Sequence, residues 1–187
     1  MAITRTANPS RRFILTSRTA RTVAVSVVCA FALHAAFPKL GLVWLEPLAL
    51  GGLFATWAAL PPRAAAAAGY LAGVVFFALD FAWFGETAGK LLGPFAFVID
   101  LGPALAEALA FAATAFAVAL AARRCNPSLA GLTAACAFVA TEWLRSSGPL
   151  GVPLYQLGAP LIETPFAPIA AFGGVYALTF VVALSAA

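Results

Sequence analysis

The chain has 187 residues, 63% apolar and 10% charged, with a formal net charge of +4 and a mean hydropathy of +0.97. Globular domains average about half apolar and a quarter charged, so a water-soluble domain is excluded and an all-α integral membrane protein is expected. Three cysteines make no paired framework and carry no metal-ligand spacing, so no disulfide scaffold, metal site or cofactor is expected.

Residues 1–21 are basic and read as a cytoplasmic tail ahead of a membrane domain over 22–187. Ser10-Arg11-Arg12-Phe13-Ile14-Leu15 has the outline of a twin-arginine signal, and Ala32 to Ala36 that of a cleavage site. Five further apolar runs make the first run a retained helix instead. With about 20 residues needed to cross the hydrocarbon core, six spans are predicted, over 22–37, 42–60, 64–84, 101–122, 128–145 and 166–187. The first two form a tight hairpin around Phe37-Pro38-Lys39-Leu40-Gly41, and Pro47 kinks the second. Ala64 to Ala68 make the third a thin helix that neighbours approach closely. The run from Leu91 to Ala122 would extend about 48 Å as one helix, too long for a single crossing. Gly93-Pro94 and Gly102-Pro103 divide it, so 91–100 is expected to be interfacial or re-entrant. An irregular connection follows the fifth run, where Pro149 and Pro153 forbid a regular helix, and Gly173-Gly174 sits inside the sixth.

Orientation follows from the basic residues. Eight arginines (Arg5, Arg11, Arg12, Arg18, Arg21, Arg63, Arg123 and Arg124) fall on one side, against Lys39, Lys90 and Arg145 on the other. Both ends are therefore expected in the cytoplasm and the connection outside. This bias accounts for the net charge, so nucleic-acid binding is not expected.

Ionisable groups within spans are expensive at about 2.5–3.5 kcal/mol each unless paired or wet. Asp80, Asp100, Glu142 and Arg145 are expected at one outer level, with Glu107 seven residues after Asp100 and about 10 Å further in. One reading makes them interfacial groups, Glu142 and Arg145 pairing at i, i+3. The other makes them the floor of an outward cavity lined by Trp83, Trp143 and Tyr155, where a phospholipid headgroup enters sideways. Arg145, Trp143, Pro153, Tyr155 and Gln156 bring guanidinium, aromatic and amide groups to headgroup depth, and an arginine fork suits phosphate. His34 reads as a hydrogen-bonded packing residue. Phe76-Phe77, Phe95 and Phe97 read as packing or lipid-facing surface, and Cys29, Cys125 and Cys136 as small buried or loop side chains.

Thr141-Glu142-Trp143-Leu144-Arg145, then Gly151-Val152-Pro153 with Gln156-Leu157-Gly158, then Ala167-Pro168-Ile169 and Gly174-Val175-Tyr176, resemble the corresponding stretch of bacterial apolipoprotein N-acyltransferases. Phe37-Pro38, Gly41, Trp44 and Pro47-Leu48 resemble that family's first hairpin, and Gly69 to Trp83 its third helix. Leu154 stands where members usually carry Trp, and Ser146 where they usually carry Gly. The resemblance implies an inner-membrane enzyme that moves an acyl chain from a phospholipid to the N-terminal cysteine of a diacylated lipoprotein. It also implies a soluble nitrilase-like domain downstream, with a Glu base, a Lys and a Cys nucleophile.

No such set is present in residues 1–187. A base must lie within hydrogen-bond reach of the thiol it activates, and neither Lys39 nor Lys90 shares an aqueous pocket with Cys and Glu. The chain is thus expected to be the membrane portion of such an enzyme, a fragment or truncated product, inactive alone and with no catalytic residue of its own. The alternatives are a small transporter or channel-like bundle using Asp80, Asp100 and Glu107, or a scaffold without chemistry.

Overall fold

The computed structural model describes residues 9–37, 39–147 and 151–187, and of residues 9–17, 94, 96, 97, 99 and 100 the backbone alone. Arg5, Pro38 and Pro149 thus lie outside the described residues. Six α-helices follow in order: α1 (Pro9–Ala36), α2 (Leu45–Ala58), α3 (Pro62–Leu92), α4 (Ala96–Arg124), α5 (Pro127–Ser146) and α6 (Ala170–Ala186), with no strand among the described residues.

Among the described residues, four stretches are long and apolar enough to cross a membrane: Arg18–Ala36, Pro62–Leu92, Leu101–Arg124 and Ala167–Ala186. The other two of the six expected spans are different in kind. The 14 residues of α2 extend only about 21 Å by helix rise, and the 20-residue α5 ends on Thr141, Glu142 and Arg145.

Three boundaries differ from expectation. Helix α1 begins at Pro9, so much of the expected basic tail is helical. Helix α3 runs on to Leu92 and α4 starts at Ala96, joined by a 3-10 turn over Gly93–Phe95. Residues 91–100, expected to be interfacial or re-entrant, form the tip of a helical hairpin. Pro103 is accommodated near the start of α4, where a proline removes one backbone bond close to groups that lack helical partners anyway. In α6, Gly174 adopts φ 62° and ψ −152°, a conformation open to glycine, and the helix kinks there.

The short α2 lies at the centre, touching α1, α3, α4 and α6. Its Leu50, Leu53 and Trp57 are fully buried, at the spacing of one helical stripe. Around them Phe76 and Phe77 of α3, Phe111 of α4 and Phe138 of α5 stack edge to face and face to face.

Helices α3 and α4 lie close together because small residues face each other. Ala65, Ala68 and Ala72 are buried on α3, as are Ala108, Ala115 and Ala119 on α4. A Cβ on Gly69 would stand 2.5 Å from Ala115 Cβ and 2.6 Å from the Phe111 carbonyl oxygen, and one on Gly73 2.9 Å from Ala108 Cα. Without a hydrophobic drive between helices in lipid, such close contact is what binds them. Gly69→Val is therefore expected to lower stability by about 1–3 kcal/mol in thermal unfolding from detergent. Gly102→Ala, where a Cβ meets nothing within 4 Å, should leave the midpoint unchanged or slightly raised.

Candidate functional site

The site is assembled on α5. Asn126 caps the helix by accepting from Leu129 N at 2.9 Å, and Pro127 follows at the first turn. That start fixes the phase in which Ala135, Phe138, Glu142 and Arg145 share the inward stripe.

The Arg145 side chain is 8% exposed, and both of its Nη atoms have partners within the protein. Nη1 donates to Glu107 Oε2 at 2.9 Å and to the Leu154 and Val152 carbonyls at 2.9 and 3.3 Å, and Nη2 donates to the Tyr155 carbonyl at 3.0 Å. Glu142 Oε1 lies 3.7 Å from Nη2, and the Phe77 ring lies 5.1 Å beneath. The expected Glu142–Arg145 pair exists, yet the shorter contact is to Glu107 on a different helix.

Glu142 fastens the next part of the connection. Its Oε1 accepts from Leu157 N at 2.8 Å and its Oε2 from Thr179 Oγ1 at 2.6 Å, while Thr179 accepts from Gly158 N at 2.9 Å. Gly158 is there for space: a Cβ would fall 2.2 Å from the Val175 carbonyl oxygen. Two acidic side chains, one arginine and one threonine thereby tie an irregular segment to α4, α5 and α6. Beyond them the segment satisfies part of its own backbone with two short 3-10 turns, Ala159–Glu163 and Ala167–Ile169, and the side-chain bonds serve the amides and carbonyls ahead of those turns.

Tyr155 has φ 54°, a left-handed conformation uncommon for a non-glycine residue and held only where surroundings over-determine it. Its ring packs on Phe37 and Phe81, and its hydroxyl accepts from Trp83 Nε1 at 2.5 Å. Burial pushes the phenol pKa up, the Trp83 hydrogen bond opposes this, and Asp80 adds to the rise. Gln156 Nε2 donates to Tyr176 Oη at 3.1 Å and to Ser146 Oγ at 3.3 Å. His34 Nδ1 and Asp80 Oδ1 are 2.7 Å apart, so His34 is a hydrogen-bonded residue of α1 that holds α3.

One polar layer therefore unites Asp80, Trp83, Glu107, Glu142, Arg145, Tyr155 and Gln156. Other expected members stand apart. Trp143 is turned away from the bundle and lines an apolar groove of about 350 Å³ with Cys136, Tyr176 and Phe180. It does not line a cavity with Trp83 and Tyr155, because the inward stripe of α5 is one residue out of phase with it. Cys136, expected to be buried, is exposed for the same reason. Pro153 is exposed. Asp100 stands in the first turns of α4, its side chain outside the described residues, and it is Glu107 that pairs with Arg145. The carboxylates do not floor an open cavity, since Glu107 and Glu142 are covered by their partners.

Sequence reasoning missed Glu46, which is fully buried with both carboxyl oxygens lacking a hydrogen-bond partner among the described residues. The signal was a carboxylate inside the apolar run 42–60. Thr179, and the Thr114–Thr141 hydroxyl contact of 2.7 Å between α4 and α5, carried no signal beyond a polar residue in a span. No cluster of three or more potential metal ligands occurs among the described residues.

The family model described as apolipoprotein N-acyltransferase N-terminal domain matches residues 29–187, which include the whole polar layer from His34 to Thr179. An apolipoprotein N-acyltransferase of Azotobacter vinelandii (strain DJ / ATCC BAA-1303) is 35% identical over 150 residues, covering 76% of this chain and 29% of the relative. The chain thus spans less than a third of that protein's length.

Proposed function

This chain belongs to the apolipoprotein N-acyltransferase family, and from that premise we propose that residues 22–187 are the membrane platform for acyl transfer from phospholipid to the N-terminal cysteine of diacylated lipoproteins. The observation that carries this reading is the fixation of the outer connection by Arg145, Glu107, Glu142 and Thr179. A rigid outer surface is what a soluble nitrilase-like domain needs if it is to meet substrates at a constant height above the bilayer. The nucleophilic chemistry is assigned to the part of the family's length that residues 1–187 do not span.

In this reading the protein lies in the bacterial inner membrane with its N-terminus cytoplasmic and the connection outward, as the arginine asymmetry supports. Trp83, Tyr155, Gln156 and exposed Pro153 are the groups offered to a phospholipid glycerol region. Arg145 and Glu142 act as positioning residues rather than as phosphate ligands, because both Arg145 Nη atoms and both Glu142 oxygens already have partners. Trp143 sits as an interfacial aromatic at the rim of the α5–α6 groove. Against an ion or proton pathway through Asp80, Asp100 and Glu107 stands the pairing of Glu107 with Arg145 and of Asp80 with His34.

The test is a transplant. Residues 1–187 alone, given phospholipid and a diacylated lipopeptide, are expected to yield no triacylated product by mass spectrometry. The same residues replacing the matched segment of the Azotobacter vinelandii relative should yield it. A folded, membrane-inserted chimera without product would overturn the platform reading. Product from the lone chain that vanishes on Cys29→Ala, Cys125→Ala or Cys136→Ala would overturn the assignment of the chemistry elsewhere.

A further inference from the structure

The opposite end of the bundle carries a second polar site. Arg18 and Arg21 lie on successive turns of α1, exposed, with no carboxylate partner among the described residues. Together with Thr22 they form one wall of a pocket of about 500 Å³ whose other wall is Thr56, Ala59 and Leu60 at the end of α2. This is the size range of small-molecule sites. Thr56 gives its proton to the Gly52 carbonyl, and the Ala55 and Trp57 carbonyls are taken by the Ala59 and Leu60 amides. The far wall is therefore largely apolar, and the donors all come from α1.

Depth identifies the ligand. Arg21 precedes His34 of the polar layer by 13 residues of one continuous helix, about 20 Å by helix rise, and Arg18 by about 24 Å. The pocket thus lies toward the other face of a hydrocarbon core about 30 Å thick, within the reach of long arginine side chains that extend to the headgroups. A phosphodiester there meets two planar forks able to donate paired hydrogen bonds, while the apolar wall receives the first carbons of the chains. Basic pockets between helices on the cytoplasmic side suit acidic headgroups.

We propose that Arg18, Arg21 and Thr22, closed by the end of α2, bind the headgroup of one acidic phospholipid from the leaflet on the N-terminal side of α1. This lipid is separate from any acyl donor at the polar layer, and its binding does not depend on the acyltransferase reading. The site anchors α1 against α2 at the boundary where α2 is too short to hold the helix by length alone.

The experiment is native mass spectrometry of the full chain released from micelles containing equal phosphatidylglycerol, phosphatidylethanolamine and phosphatidylcholine. One phosphatidylglycerol should be retained preferentially. Arg18→Gln with Arg21→Gln should weaken retention about thirtyfold. Ala59→Phe, which fills the pocket without altering charge, should weaken it as well, and Arg63→Gln, outside the pocket, should not. Retention unchanged in the double variant, equal retention of phosphatidylcholine, or an equal loss in Arg63→Gln would overturn the proposal. Displacement of the lipid by millimolar inorganic phosphate would also overturn it, since it would assign the forks to a free anion. Should the double variant fail to insert, the Ala59→Phe comparison alone decides.

Discussion

Arg145→Ala is expected to lower stability by about 3–5 kcal/mol, as when one partner of a buried ion pair is removed. The guanidinium satisfies Glu107 and the carbonyls of Val152, Leu154 and Tyr155 at once. Its loss leaves the buried Glu107 carboxylate and three carbonyls without this donor. Arg145→Lys should fall between the two, because a single ammonium cannot span Glu107 and three carbonyls in one planar fork. Glu107→Gln added to Arg145→Ala should recover part of the loss, since it removes the stranded charge. Thermal unfolding in plain detergent and in phospholipid nanodiscs separates this role from phosphate binding. A positioning role gives the same drop in both, whereas a drop seen only with phospholipid present would return Arg145 to the lipid-binding groups.

Tyr155 adds a local consequence. Its left-handed backbone is held in part by the Arg145 contact to its own carbonyl, so Arg145→Ala should also release the Tyr155 ring from Phe37 and Phe81. That couples the α5 end to Trp83 on α3, two helices away in the chain.

Helix existence was legible because apolar run length reports it directly. Helix α5 spans Pro127–Ser146 against an expected 128–145, its start marked by Asn126-Pro127. The hairpin tip was not legible, because Gly93-Pro94 and Gly102-Pro103 signal a break equally well at a helix end or within a helix's first turns. What decided between them is the tertiary pairing of α3 with α4, which composition does not encode. The same limit applies to the site. The i, i+3 relation of Glu142 and Arg145 is local and visible, but Glu107 lies 38 residues away and becomes a partner only when α4 and α5 are known to be neighbours. Trp143 went astray for a simpler reason: residues adjacent in sequence on a helix point about 100° apart, so Glu142 and Trp143 were never able to serve one cavity together. Glu46 shows the converse, a carboxylate whose position in an apolar run is plain but whose surroundings are set wholly by α2 being central.

Gly158 is expected to tolerate no side chain. An added Cβ would stand 2.2 Å from the Val175 carbonyl oxygen, 2.7 Å from Thr179 N and 2.8 Å from Leu178 Cβ. The first two are backbone atoms of α6 and have no rotamer by which to retreat, so the connection itself must move outward. Moving it breaks the Gly158 and Leu157 amide bonds to Thr179 and Glu142, and with them the reason Glu142 is tolerated in the interior. Gly158→Ala is therefore expected to reduce stability by about 3 kcal/mol or more, combining overpacking with unsatisfied buried groups. Amide hydrogen exchange at Leu157 and Gly158 should rise together, because both bonds depend on the same approach. Thr179→Val, which keeps the shape and removes the hydroxyl, should give a smaller loss of about 1–3 kcal/mol. The two changes act on one contact, so the double variant should be little worse than Gly158→Ala alone. Strict additivity would show that the connection is held to α6 by packing elsewhere, and that the Glu142–Thr179–Gly158 chain is incidental to its position.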